Sequence, residues 1–271
     1  MERVRFTRAL FAISSASLAS FCLFYGDSAQ IGLSLPEWVP LRQVWIDGAA
    51  LLLLVASAGL CFSRSALPSA LTISVYLLLW ALTSTPQIFS SPLSFGGWYG
   101  FCEALTSVAG AYILYVMLRA QPRGSHLPIA EDRTVRVART LFGLTCIFYG
   151  GSHFAYAPYT ASMVPNWLPG HLGLAYLTGL AHVAAGFGIV VGVLPRLAAT
   201  LEAIMMSLFG LLVWVPSFFA QPRPSWATPP QNQWSELVVN LVLAAAAWIV
   251  VTSWADRPWI FAPRPDEAAG Q

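Results

Sequence analysis

A few ionisable side chains lie inside long apolar runs of this sequence, where each costs roughly 2.5 to 3.5 kcal/mol to insert into lipid. His182 is the most informative. It sits about ten residues into such a run, on the order of 15 Å deep at the helical rise of 1.5 Å per residue. Ala175, Gly179 and Gly186 share its helical face. A stripe of small residues lets a neighbouring helix approach closely, so His182 is expected to point into a bundle rather than toward lipid. Two chemistries remain open for it: a proton-carrying or ligand-binding group in a polar cavity, or a neutral imidazole bridging two helices.

His153 is expected near the end of its own run, where it could hydrogen-bond a ligand at headgroup level or satisfy a backbone carbonyl. The two histidines are expected to differ in depth by about 9 Å, which disfavours a haem between them. Glu103 and Glu236 each fall early in an apolar run. Helix capping and dipole compensation account for them most simply, and Asp47 is read in the same way. The alternative is a carboxylate pair lining a cleft that binds a cation or relays protons. Glu202 is expected to pair with a loop arginine near the membrane surface, and Asn240 to bridge helices. Trp80 and Trp214 read as packing residues or as an aromatic wall for a flat ligand. The four cysteines, Cys22, Cys61, Cys102 and Cys146, form no C-x-x-C pair and read as buried structural thiols. No metal-spaced cluster, nucleotide loop, nucleophile elbow or nucleic-acid stripe is present, so a soluble-type catalytic site is disfavoured.

The elements that must position these residues are membrane helices. Of the 271 residues 57% are hydrophobic and 10% charged, and the mean hydropathy is +0.64. Soluble domains carry about a quarter charged residues, so there are too few here to coat a water-exposed surface. The apolar blocks approach the ~20 residues that cross a hydrocarbon core. Eight spans are expected near 7–25, 44–62, 68–86, 98–119, 137–157, 172–194, 197–218 and 235–254. The first, preceded by a basic start and lacking a convincing cleavage site, reads as an uncleaved anchor. All 14 basic residues other than histidine are arginines. With the N-terminus inside, only Arg42 and Arg223 fall outside, so the positive-inside rule places both termini in the cytoplasm. Trp38, Trp45, Trp98, Trp167, Trp226 and Trp234 then form an interfacial belt.

The chain also repeats itself. Cys22-Leu23-Phe24-Tyr25-Gly26 returns as Cys146-Ile147-Phe148-Tyr149-Gly150, and Pro36-Glu37-Trp38-Val39-Pro40 as Pro165-Asn166-Trp167-Leu168-Pro169. Trp45-Ile46-Asp47-Gly48 matches Tyr176-Leu177-Thr178-Gly179, Phe89-Ser90-Ser91-Pro92 matches Phe219-Ala220-Gln221-Pro222, and Glu103 matches Glu236. Order is preserved throughout. The predicted fold is all-α: eight transmembrane helices as two parallel four-helix repeats. Residues 1–119 form the first, degenerate repeat, 120–136 a cytoplasmic linker, and 137–271 the second repeat.

The second repeat resembles the DoxX-like family of bacterial membrane proteins. The resemblance rests on Gly151-Ser152-His153-Phe154, Met163 to Pro169, Tyr176-Leu177-Thr178-Gly179 with His182, Ala185 to Ile189, and Leu194 to Ala199. It departs from the family where His182 replaces a common Glu and where Ala29 stands opposite His153. The resemblance implies an inner-membrane, redox-associated accessory subunit rather than a stand-alone enzyme. Its ligand would be a quinone or another small hydrophobic molecule near His153, His182 and Trp167, with Glu103 and Glu236 as further candidates. The partners implied are the lipid bilayer and a membrane oxidoreductase; from charge and motif spacing no nucleic acid and no metal is expected, and a haem is disfavoured. A non-catalytic scaffold and a small-solute transporter are the alternative expectations.

Overall fold

The computed structural model describes residues 2–29, 31–120, 132–227 and 229–259. The described residues fold into helices: α1 (Glu2–Tyr25), α2 (Arg42–Leu60), α3 (Ala66–Thr83), α4 (Thr85–Ser90), α5 (Phe95–Ala120), α6 (Arg133–Ala155), α7 (Ala157–Met163), α8 (His171–Val191), α9 (Pro195–Phe209), α10 (Val215–Ser217) and α11 (Pro230–Ser253). A π-helical segment, Gly210–Trp214, joins α9 to α10. Among the described residues seven helices are long and apolar enough to cross a membrane. These are α1, α2, α3 continued through α4, α5, α8, α9 continued through α10, and α11.

The expected fifth span, α6, has the length but not the composition, because Arg133, Arg136 and Arg139 crowd its first two turns. Asp132 caps this helix, accepting hydrogen bonds from the backbone N–H groups of Thr134 and Val135. Hydrogen bonding from Thr134 holds its carboxyl below the usual aspartate range. Residues 133–136, assigned to the linker from sequence, are therefore the first turn of α6; the linker's 121–131 lie outside the described residues. Arg139 is buried within the fold. Its guanidinium donates to the hydroxyl and carbonyl of Ser253 at the end of α11, and lies 3.7 Å over the Trp254 ring.

Consecutive long helices pack side by side: α1 on α2, α2 on α3, α3 on α5, α5 on α6, α6 on α8, α8 on α9 and α9 on α11. The circuit closes where α11 meets α1, and α5 and α11 also meet each other. These two are the most buried of the spanning helices. Their approach depends on small residues, since a Cβ on Gly110 would stand 2.5 Å from that of Ala246. The outward faces carry Leu51, Leu52 and Val55 of α2, Leu177, Leu180 and Phe187 of α8, and Leu201 and Leu208 of α9. Water would not tolerate a continuous surface of this kind, and lipid would.

Candidate functional site

Glycines set the register of α6 against α8. A Cβ on Gly150 would lie 2.5 Å from the Gly179 carbonyl oxygen, and one on Gly186 would lie 2.4 Å from that of Gly143. The backbones therefore touch at two points seven residues apart on each helix, as two antiparallel helices do. In this register His153 stands beside Thr178, one helical turn from His182. The expected separation in depth is thus corrected. The rings lie 5.1 Å apart, edge to face, too close for a porphyrin to enter between them, so the pair does not fit a haem.

Each imidazole is held by a partner on another helix. His182 is almost fully buried, as its small-residue face required. Its Nδ1 shares a 2.7 Å hydrogen bond with Glu202 Oε1 of α9, and Glu202 is 0% exposed. The expected pairing of Glu202 with a loop arginine is therefore replaced by a pairing with His182. The reason is geometric: the α8–α9 turn, with Gly192 and Leu194 in the left-handed region, lies almost midway between the two residues and brings them to one depth. Among the described residues Glu202 Oε2 is buried without a hydrogen-bond partner, and the Cys146 thiol stands beside the carboxyl. His153 Nδ1 lies 3.0 Å from Thr178 Oγ1. The one proton of that hydroxyl is directed at the carbonyls of Leu174 and Ala175. His153 therefore donates from Nδ1 and leaves Nε2 as an acceptor. Phe209 closes the cluster, its ring 5.9 Å from His153 and 5.7 Å from His182.

Polar groups continue from this cluster toward α5. The Tyr149 ring lies 6.0 Å from His182, and its hydroxyl is 2.8 Å from Thr106 Oγ1. The Glu103 carboxyl lies within electrostatic reach of Tyr149 and of Glu236. The Tyr99 hydroxyl, bonded to Ser152 at 2.5 Å, is within reach of both acids. The structure thus brings Glu103 and Glu236 together, and His153 and His182 together, with Tyr149 between the two groups.

Several readings from the sequence are corrected here. Glu103 and Glu236 lie about two turns inside α5 and α11, whose first turns carry no acid, so they do not cap them. Asp47 likewise lies beyond the first turn of α2 and instead accepts a hydrogen bond from Gln43 at 2.7 Å. Asn240 packs its Oδ1 against Gly210, and among the described residues that atom has no hydrogen-bond partner and bridges nothing. Cys61 is exposed, unlike the other three cysteines. Trp167 is 70% exposed on the loop before α8. Trp80 is buried in the core, and Trp214 stacks edge-on against Trp226 at 5.6 Å. Among the described residues no group of three His, Cys, Asp or Glu side chains is arranged to hold a metal ion.

All of the His153–His182–Glu202 cluster falls in one stretch of recognisable similarity. Residues 142–251 match the model of a family described as a domain of unknown function, DUF8561. No curated protein and no solved structure matches the chain. The matched stretch begins at Phe142, inside α6, and ends near the close of α11, so it also includes Phe209, Asn240 and Glu236.

Proposed function

We propose that this chain is an inner-membrane, redox-associated accessory subunit whose second half binds a small quinone-type ligand beside His153 and His182. The observation that carries the reading is the buried His182–Glu202 hydrogen bond, with a second imidazole and a phenyl ring against it. A buried imidazole–carboxyl pair holds or gives up a proton while its partner compensates the charge. His153 Nε2, an acceptor in the tautomer set by Thr178, suits the hydroxyl of a quinol rather than a quinone carbonyl. The resemblance to DoxX-like proteins supports the same reading and adds a membrane oxidoreductase as partner.

The architecture that goes with this function has eight spans, α6 included. Two four-helix halves run in parallel, with both termini in the cytoplasm. The helix neighbours support it: exchanging α1, α2, α3 and α5 for α6, α8, α9 and α11 maps the observed set of major contacts onto itself. The α5–α11 contact would lie on the pseudo-two-fold axis. The shielding of Arg139 by Ser253 and Trp254 supports α6 as a span despite its charges.

Native mass spectrometry of protein released from nanodiscs containing ubiquinol tests the binding. A retained quinol mass that is lost in His182→Ala and in the milder His153→Gln is expected. Wild-type protein that carries only phospholipid, or a partner chain, would overturn it in favour of a scaffold. A transporter reading draws on one observation, the π-helical interruption at Gly210 opposite buried Asn240. Proteoliposome flux abolished by Asn240→Leu would favour that alternative.

A further inference from the structure

A second recess lies far from the histidines, where α1 begins and α11 ends. It is a cavity of about 520 Å³ walled by Phe6, Trp248, Val251 and Trp259, with Arg3 and Arg196 among its lining residues. The walls are apolar. Of the polar side chains, Arg196 donates one hydrogen bond, to the Arg257 carbonyl at 2.9 Å, and its guanidinium lies 4.1 Å over the Trp259 ring. A guanidinium carries five N–H donors; the described residues give the others on Arg196 no acceptor. Arg3 has no side-chain hydrogen bond or ion pair among the described residues. Glu2 also lines the cavity, so the two arginines leave it with one net positive charge.

We propose that this recess binds one anionic phospholipid, its phosphate between Arg3 and Arg196 and an acyl chain against Phe6, Trp248 and Val251. Charge complementarity selects the anion, and the apolar walls select a molecule with a hydrocarbon tail. The position fits as well, because the first turn of α1 and the last of α11 lie at the ends of membrane-length helices, where headgroups lie. Arg196 is held flat by Trp259 before any ligand arrives, so little side-chain freedom is lost on binding. The site occupies the seam between α1 and α11, and a bound lipid would fasten the first long helix to the last.

The test is native mass spectrometry of the full chain from nanodiscs of phosphatidylcholine containing a minority of phosphatidylglycerol. One phosphatidylglycerol is expected to stay bound with a preference of roughly fivefold over phosphatidylcholine, the worth of one net positive charge near an anionic surface. Arg3→Ala and Arg196→Ala should each reduce that preference, and Arg196→Lys should restore only part of it because the stacking plane is lost. Arg3 makes no side-chain hydrogen bond or ion pair among the described residues, so Arg3→Ala remains informative if the Arg196 variants fail to fold. Equal retention of the two lipids by wild type would overturn the proposal, as would an undiminished preference in Arg3→Ala. Displacement of the lipid by millimolar inorganic phosphate would show that the site recognises free phosphate instead, and would overturn it too.

Discussion

The seam between α6 and α8 and the seam between α1 and α2 use matching residue types and close by different means. On α6–α8, Gly150 and Gly179 bring backbones into contact. Their sequence mates do nothing similar. Gly26 occupies a turn at φ +55°, beside Gln43, and a Cβ on Gly48 would meet nothing within 4 Å. The α1–α2 seam instead uses hydroxyls, with Ser57 Oγ donating to Ser15 Oγ at 2.8 Å. Cys22 and Cys146 show the same divergence. The first contacts Tyr76, and the second stands beside the Glu202 carboxyl. Where the first half has neutral hydroxyls, the second has imidazoles and a carboxyl. The lesson is that two helix pairs with similar sequence patterns close differently, one on paired hydroxyls and the other on glycines that leave room for a bulky polar ring.

Five substitutions sharpen or break this contrast, and thermal unfolding in detergent, referred to wild type, measures each. Glu202→Ala leaves His182 Nδ1 buried without its partner and should cost about 1–3 kcal/mol. Ser57→Ala, which removes a neutral hydroxyl pair, should cost about 1 kcal/mol. Equal losses would mean that the second seam is no more specialised than the first. Gly150→Ala pushes a methyl against the Gly179 backbone and should cost about 1–3 kcal/mol. Gly48→Ala meets open space and should be neutral, or stabilising by up to ~1 kcal/mol from helix propensity. Asp132→Ala, which removes the cap of α6, should cost about 1 kcal/mol at neutral pH. Because folding lowers the pKa of Asp132, its contribution is full above the unfolded value of 3.8 and is lost as the pH falls through the lower folded value. The gap between wild type and Asp132→Ala should therefore close in acid.

Hydropathy made the helical membrane architecture legible, because apolar blocks of spanning length admit few other folds. The Gly179–His182–Gly186 face was legible too, since helical spacing places all three on one side. Glu202 was not read correctly, although its signal was present. It lies about as far beyond the α8–α9 turn as His182 lies before it, and antiparallel neighbours with equal offsets share a depth. The proximity of His153 to His182 was hidden by a different effect. Depth estimates counted from expected span ends ignore the register that Gly143, Gly150, Gly179 and Gly186 impose. Glu103, Glu236 and Asp47 were misread as caps because each helix begins earlier than its apolar run. Aromatic and amide residues such as Phe95 and Gln233 extend a helix that hydropathy alone would start later.

The clamp on Arg139 has a consequence for biogenesis. The Ser253 hydroxyl and carbonyl that receive its guanidinium are synthesised 114 residues later, and the Trp254 ring that covers it follows directly. Until α11 has been made these partners do not exist, so this corner of the fold closes only after both α6 and α11 have been translated.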